Sequence, residues 1–114
     1  MQRIALLFSV MILSSCYYDL ESELYPEPCE VPETPTYTAN IELLINSQCA
    51  TPSCHVAGGN ANGNFETFNG VSNKVDNGSF EQEVLINQSM PPNGTLSACD
   101  LELIETWLAT GAAE

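Results

Sequence analysis

The sequence predicts an all-α domain with long loops. Apolar residues recur at helical spacing in several segments, and side chains suited to capping precede most of them. No stretch alternates between apolar and polar residues as a half-buried strand does. Turn-forming Asn-Gly pairs at residues 62–63, 69–70 and 93–94 separate the helical segments. Such helices supply little core, and small domains of this kind commonly depend on a disulfide, a metal or a cofactor for stability.

The first two helices are predicted between residues 38 and 75. Thr38 is suited to cap the first helix. The apolar face of this helix consists of Ile41, Leu44 and Ile45. A second, weaker helix spans residues 66–75 and is expected to stop at the Asn77-Gly78 turn.

The last two helices have clearer start signals. Ser79 followed by Gln82 predicts a capping box for a third helix, which ends before Pro91. Its apolar residues are Val84, Leu85 and Ile86. Ser97 caps the fourth helix, and Gly111 stops it. Asp100 and Glu102 suit the N-terminal dipole of this helix, and its apolar stripe is Leu101, Ile104, Trp107 and Leu108.

Residues 1–15 have the features of a secretory signal peptide. Arg3 precedes an apolar block at residues 4–13, which is too short to span a bilayer, and small residues follow it. Residues 13–16, Leu-Ser-Ser-Cys, resemble the lipobox of bacterial lipoproteins, which implies that Cys16 is acylated and becomes the N-terminus. The alternative is an ordinary signal peptide with a cysteine near its cleavage site.

Residues 16–37 are predicted to form a stalk between the lipid and a domain at residues 38–114. Four of the seven prolines and five glutamates lie within it, so the chain should be extended. Only 2 Lys or Arg oppose 15 carboxylates, giving a net charge of -13. This charge excludes nucleic acid as a partner, and it means that membrane attachment would depend on lipid chains.

A cysteine pair and a histidine form the candidate cofactor-binding motif of the domain. The run Cys49-Ala-Thr-Pro-Ser-Cys54-His55 places the only histidine directly after a cysteine, as in covalent c-type haem attachment. Each thiol would add to a haem vinyl group, and the imidazole would be the proximal ligand of the iron. Such motifs normally have two residues between the cysteines, whereas four lie here, and residues around Pro52 can bulge outward.

Two other interpretations of this run stay open. A zinc site would need a fourth ligand from elsewhere, and the adjacent Cys54 and His55 would rarely both face one ion. A plain disulfide between Cys49 and Cys54 would close a tight loop that Pro52 favours, with His55 an incidental surface residue.

Met90 is the candidate distal ligand. After removal of residues 1–15 it is the sole methionine, and it lies 35 residues beyond His55. Pro91 and Pro92 stiffen the loop that carries it. An isolated methionine usually serves packing, but one His beside a cysteine pair and one Met in a stiff loop are what His/Met-ligated haem requires.

Residues 37–113 resemble small c-type cytochrome domains of bacterial envelope lipoproteins. The resemblance rests on the first helix leading into the Cys/Cys-His run, the segment at residues 65–71, Met90-Pro91-Pro92, and a last helix with Trp107. It implies a cytochrome c-like fold around one covalent haem c, with the first and last helices packed across one another. It also implies thioether bonds from Cys49 and Cys54, with iron ligated by His55 and Met90.

The resemblance also bears on the remaining cysteines. If Cys16 carries lipid and Cys49 and Cys54 carry haem, then Cys29 and Cys99 remain, and the related lipoproteins have cysteines at corresponding places. A secreted protein seldom leaves two thiols free, so we expect a disulfide between them. The alternative is that Cys29 stays unpaired or bonds another molecule.

The sequence therefore predicts a monohaem cytochrome c that is not an enzyme. It would be a lipoprotein of the bacterial envelope, facing the periplasm or the cell exterior, that carries single electrons to a redox partner with a basic patch. One alternative is a haem-free structural or binding lipoprotein held by disulfides. The other is a small haem enzyme such as a peroxidase, which would need an open iron site.

Overall fold

The computed structural model describes residues 28–94 and 96–114, which contain four helical segments and no strand. This agrees with the predicted all-α class. Helix α1 joins a π-helical turn, Tyr37–Ile41, to an α-helical part, Glu42–Gln48. Helix α2 is Phe68–Asp76, α3 joins Ser79–Glu81 to a π-helical turn at Gln82–Ile86, and α4 is Ala98–Ala109. The predicted signal peptide, Cys16 and the first part of the predicted stalk lie outside the described residues.

Helix α1 begins two residues before its expected cap. The N-cap is Thr36, whose side chain accepts a hydrogen bond from the Ala39 N–H at 3.3 Å, so the prediction of Thr38 as the cap was wrong. The cause is the burial of Tyr37, which is 3% exposed and whose N–H donates to the Ala113 carbonyl at 2.8 Å. Packing therefore reaches back to Pro35 and Tyr37, residues that were expected to belong to the stalk.

Helix α2 has the predicted extent to within two residues, and Thr67 caps it. The Asn-Gly pair at residues 69–70 lies in the first turn of this helix, so its prediction as a turn between helices was wrong. Helix α3 begins at Ser79 as expected, but the predicted capping box is absent. Gly78, in the left-handed region at φ 77°, is the N-cap, and the Ser79 hydroxyl donates to the Lys74 carbonyl at 3.4 Å. The apolar run of α3 is also only partly buried, since Ile86 is 64% exposed.

Helix α4 follows its sequence signals closely. Ser97 and Asp100 form a reciprocal capping box: the Ser97 side chain accepts from the Asp100 N–H at 3.1 Å, and the Asp100 carboxylate accepts from the Ser97 N–H at 2.8 Å. The helix ends at Ala109, and Gly111 then adopts φ 99°, a left-handed conformation that glycine enters without strain.

A single apolar cluster joins the helices. It consists of Tyr37, Ile41, Ile45, Phe65, Val71, Phe80, Val84, Ile104 and Trp107. The first and last helices pack together in it, as the resemblance implied: the rings of Tyr37 and Trp107 lie 6.1 Å apart, and the Trp107 Nε1–H donates to the Ala113 carbonyl at 2.9 Å. Because Phe65 and Phe80 belong to both this core and the adjoining cavity, the core also forms one wall of the site.

The predicted disulfide between Cys29 and Cys99 is confirmed. The two Cα atoms lie 5.4 Å apart, and the bridge closes a loop with a sequence separation of 70 residues. It joins the chain ahead of α1 to the first turn of α4. Across the described part of the chain, none of the helices combines the length and apolar character that a membrane crossing requires.

Candidate functional site

A cavity of about 490 Å³ opens beside the core. Its lining is predominantly apolar, and its volume falls in the range of about 300–1,000 Å³ that is usual for small-molecule and cofactor sites. The loop after α1, one side chain of α2, helix α3 and the loop after α3 all contribute to its walls. Cys49, Cys54, His55 and Met90 all line it, so the four residues expected to hold a haem face a single cavity.

The Cys49 to His55 run forms a closed loop at the end of α1. The Cys54 N–H donates to the Thr51 carbonyl at 2.9 Å, and the His55 N–H donates to the Cys49 carbonyl at 3.2 Å. These bonds bring both ends of the run together despite its four intervening residues. Pro52 lies exposed at the outside of the loop, in agreement with the expected outward bulge of the additional residues.

The His55 ring is held in one orientation by two contacts. Its face stacks on Phe65, with ring centroids 4.0 Å apart and planes 3° from parallel. Its Nδ1 lies 3.2 Å from the Gly63 carbonyl oxygen. Because a carbonyl can only accept, this bond requires the proton on Nδ1, and a neutral ring then has its lone pair on Nε2. A backbone carbonyl behind Nδ1 is the usual outer partner of a metal-ligating histidine.

The two cysteines of the run are free thiols, half-buried at the cavity wall. Burial raises the pKa of the Cys49 thiol to about 11, and the neighbouring Cys54 adds to this shift. Cys49 is therefore protonated at neutral pH and a weak nucleophile until a reaction partner assists its deprotonation.

The loop that carries Met90 is tied to Glu83 of helix α3. The Glu83 carbonyl accepts from the N–H groups of Ser89 and Met90, at 2.9 and 3.2 Å. The Glu83 carboxylate also accepts hydrogen bonds from the Ser89 hydroxyl and from the Asn87 amide. The Met90–Pro91 peptide is cis. Met90 itself is 39% exposed and lines the cavity, so its thioether is accessible to a ligand there.

Gly59 permits the close approach of two backbone segments beside the cysteines. A Cβ atom at this position would lie 2.0 Å from the Cys54 carbonyl oxygen, so the loop would have to move. We expect Gly59→Ala to lower the free energy of unfolding by about 1–3 kcal/mol, the usual cost of overpacking. Chemical denaturation of the variant and the wild type measures this difference.

Gly58→Asn is the matched control for this substitution. Gly58 has φ 76° and nothing within 4 Å of its Cβ position, and asparagine tolerates this left-handed conformation better than most residues. The control should therefore lose less stability than Gly59→Ala. Equal stability of the two variants would show that the close approach of residue 59 to the Cys54 carbonyl does not exclude a Cβ atom there.

The other polar side chains of the cavity wall, among them Asn62, Lys74 and Glu83, were not recognised from the sequence as site residues. Their spacing from the cysteine run carries no motif, since the folding of α2 and α3 against the loop brings them together. Within residues 28–94 and 96–114, no group of three or more His, Cys, Asp and Glu side chains is arranged to hold a metal ion. The donor set at the cavity, one imidazole, one thioether and two thiols, fits a haem with covalent attachment.

Comparison with known proteins provides no relative from which to transfer a function. No family model, no curated protein and no solved structure matches this chain.

Proposed function

We propose that the protein is a monohaem c-type cytochrome that carries single electrons. The observation that carries the proposal is the convergence of Cys49, Cys54, His55 and Met90 on one apolar cavity, from two loops separated by helices α2 and α3. The orientation of His55 supports it further, because the bond to the Gly63 carbonyl leaves Nε2 available to bind iron.

In this proposal the two thiols attach the haem. The sulfur of each cysteine would bond one carbon of a vinyl group and the thiol hydrogen would go to the other carbon, so no oxidant or reductant would be consumed. The raised pKa of Cys49 would slow this addition in the folded chain, because the thiolate is the reactive form of the group. His55 and Met90 would hold the iron of this haem, which would supply one-electron redox chemistry without a bound substrate.

The cellular context belongs to the same proposal. Cys16 would be the lipid-bearing N-terminus of an envelope lipoprotein, and the 15 carboxylates, opposed by only 2 Lys or Arg in the full chain, would favour a redox partner with a basic docking patch. Of the two alternatives, a haem-free protein stabilised by disulfides is supported by the Cys29–Cys99 bridge. The second bridge of that alternative is absent, because Cys49 and Cys54 are free in the structure.

Covalent haem is tested by producing the protein in cells with haem maturation machinery. We expect denatured wild-type protein to keep its haem colour on a gel and to gain the mass of one haem. The double variant Cys49→Ala/Cys54→Ala should lose both properties, because neither thioether can form.

The matched control is Cys29→Ser/Cys99→Ser, which also removes two cysteines, neither of which lines the cavity. It should retain covalent haem. A colourless wild-type protein of unmodified mass, made in a competent host, would refute the proposed function and favour the haem-free alternative.

A further inference from the structure

Lys74 is the only Lys or Arg in the part of the chain that the structure describes. It lies in α2, and it lines the cavity. In a chain with 15 carboxylates, a lone lysine would be expected to pair with one of them. Its ammonium instead donates to the Asn62 side-chain oxygen at 3.1 Å, and no carboxylate partner is present within residues 28–94 and 96–114. The single cation near the cavity is therefore available to an anion.

The position of Lys74 links it to the loop that orients His55. A Cβ atom on Gly63 would lie 3.0 Å from Lys74 Cε, so the lysine stem passes closely over this glycine. The carbonyl of the same glycine accepts from His55 Nδ1. Lys74 thus lies at the edge of the cavity formed by residues 60–62, next to the glycine whose carbonyl orients the candidate iron ligand.

Lys74 and Asn62 both keep hydrogen-bond donors at this edge that no group of the described residues uses. The ammonium of Lys74 has three donors and uses one on Asn62 Oδ1, which leaves the Asn62 Nδ2 group as a further donor. Glu83, a carboxylate that also lines the cavity, is already engaged by Ser89 and Asn87. A group that only accepts hydrogen bonds and carries negative charge complements these donors best, and a carboxylate has both properties.

We propose that Lys74 and Asn62 bind a carboxylate of the molecule that occupies the cavity. This inference rests on the proposed function, under which that carboxylate is a propionate of the haem. The cavity would then recognise its ligand through three different features: an apolar body, a pair of reactive vinyl groups and one acidic group at the Lys74 edge.

Binding of haem and of its dimethyl ester separates this role from a merely structural one. The full chain with Cys49→Ala/Cys54→Ala cannot attach haem, so binding of either compound can be titrated at equilibrium. We expect the added substitution Lys74→Gln to weaken haem binding about fivefold, as for loss of a partly exposed ion pair. Affinity for the dimethyl ester, which has no free carboxylate, should not change.

Asn73→Asp in the same background is the matched control. Asn73 is exposed on α2, and this change makes the net charge more negative by one unit, just as Lys74→Gln does, without touching the cavity. It should leave both affinities nearly unchanged. Equal weakening of haem and ester binding by Lys74→Gln, or weakening of neither, would overturn the inference while leaving the proposed function intact.

A second measurement does not depend on folding of the cysteine-free background. In the covalently loaded protein, Lys74→Gln should lower the reduction potential more than Asn73→Asp does, because a positive charge at the haem edge disfavours the more positive ferric state. Equal potentials in the two variants would again count against Lys74 as a haem contact. Failure of the wild type to take up haem covalently and of the cysteine-free chain to bind it would instead refute the proposed function, and the inference with it.

Discussion

Removal of the Cys29–Cys99 disulfide should lower the free energy of unfolding by about 4 kcal/mol. This is the loop-entropy value for a bridge with a separation of 70 residues, because the intact bridge restricts the unfolded chain. Small domains commonly have only about 5–15 kcal/mol of stability in total, so the loss would be a large fraction of it. Chemical denaturation of the wild type and of Cys29→Ser/Cys99→Ser measures the difference.

The structure also predicts where this loss should first appear. Cys99 lies in the first turn of α4, and Trp107 of the same helix packs against Tyr37 of α1. Without the bridge, the chain ahead of α1 is no longer tied to α4, so this helix pair should loosen before the rest of the core. Reductant should destabilise the wild type and leave the double variant unaffected. Equal unfolding curves for wild type and variant without reductant would contradict the prediction.

The parts of the fold that the sequence predicted well depend on local interactions. Ser97 was predicted as the cap of α4, and its hydrogen bonds with Asp100 span only four residues, so they form wherever the helix forms. Thr36 and Thr38 are both chemically suitable caps for α1, and only the tertiary burial of Tyr37 decides between them. Ser79 fails as a cap for a similar reason, because the turn at Gly78 directs its hydroxyl to the Lys74 carbonyl.

In the candidate site, too, some features follow from local sequence and others only from tertiary packing. The adjacency of Cys54 and His55 is a local signal, and by itself it indicates haem chemistry. The bond from His55 Nδ1 to Gly63, by contrast, spans eight residues through a loop without regular structure. Lys74 and Glu83 reach the cavity only because α2 and α3 fold against that loop, so no sequence spacing indicates their place in the site.

Met90→Ala should change the protein from an electron carrier into a ligand-binding haem protein. Covalent haem should persist through Cys49 and Cys54, while the sixth position of the iron opens to water. Because methionine ligation raises the potential, we expect a fall on the order of 100 mV, well within the range that axial ligands can produce. Carbon monoxide should bind the reduced variant quickly and the reduced wild type slowly or weakly.

Two further variants separate ligation from packing. Met90→Leu keeps an apolar side chain of similar size at the cavity but removes the sulfur, so it should behave like Met90→Ala. Asn93→Ala changes an exposed residue of the same loop that does not line the cavity, so it should retain wild-type behaviour. If Met90→Leu keeps the wild-type reduction potential, then Met90 only packs at the cavity and does not bind the iron.

The absorption spectrum of the wild type tests the same ligation directly. Glu83 holds the Met90 loop through main-chain and side-chain hydrogen bonds that the protein makes by itself. A loop held in this way loses little further entropy when its thioether binds iron, so the oxidised wild type should show the methionine-to-iron charge-transfer band. Rapid binding of cyanide or carbon monoxide to the wild type, together with absence of that band, would show that Met90 is not the distal ligand. The open iron site that a small haem enzyme requires would then be present, and a peroxidase-like activity would become the favoured interpretation.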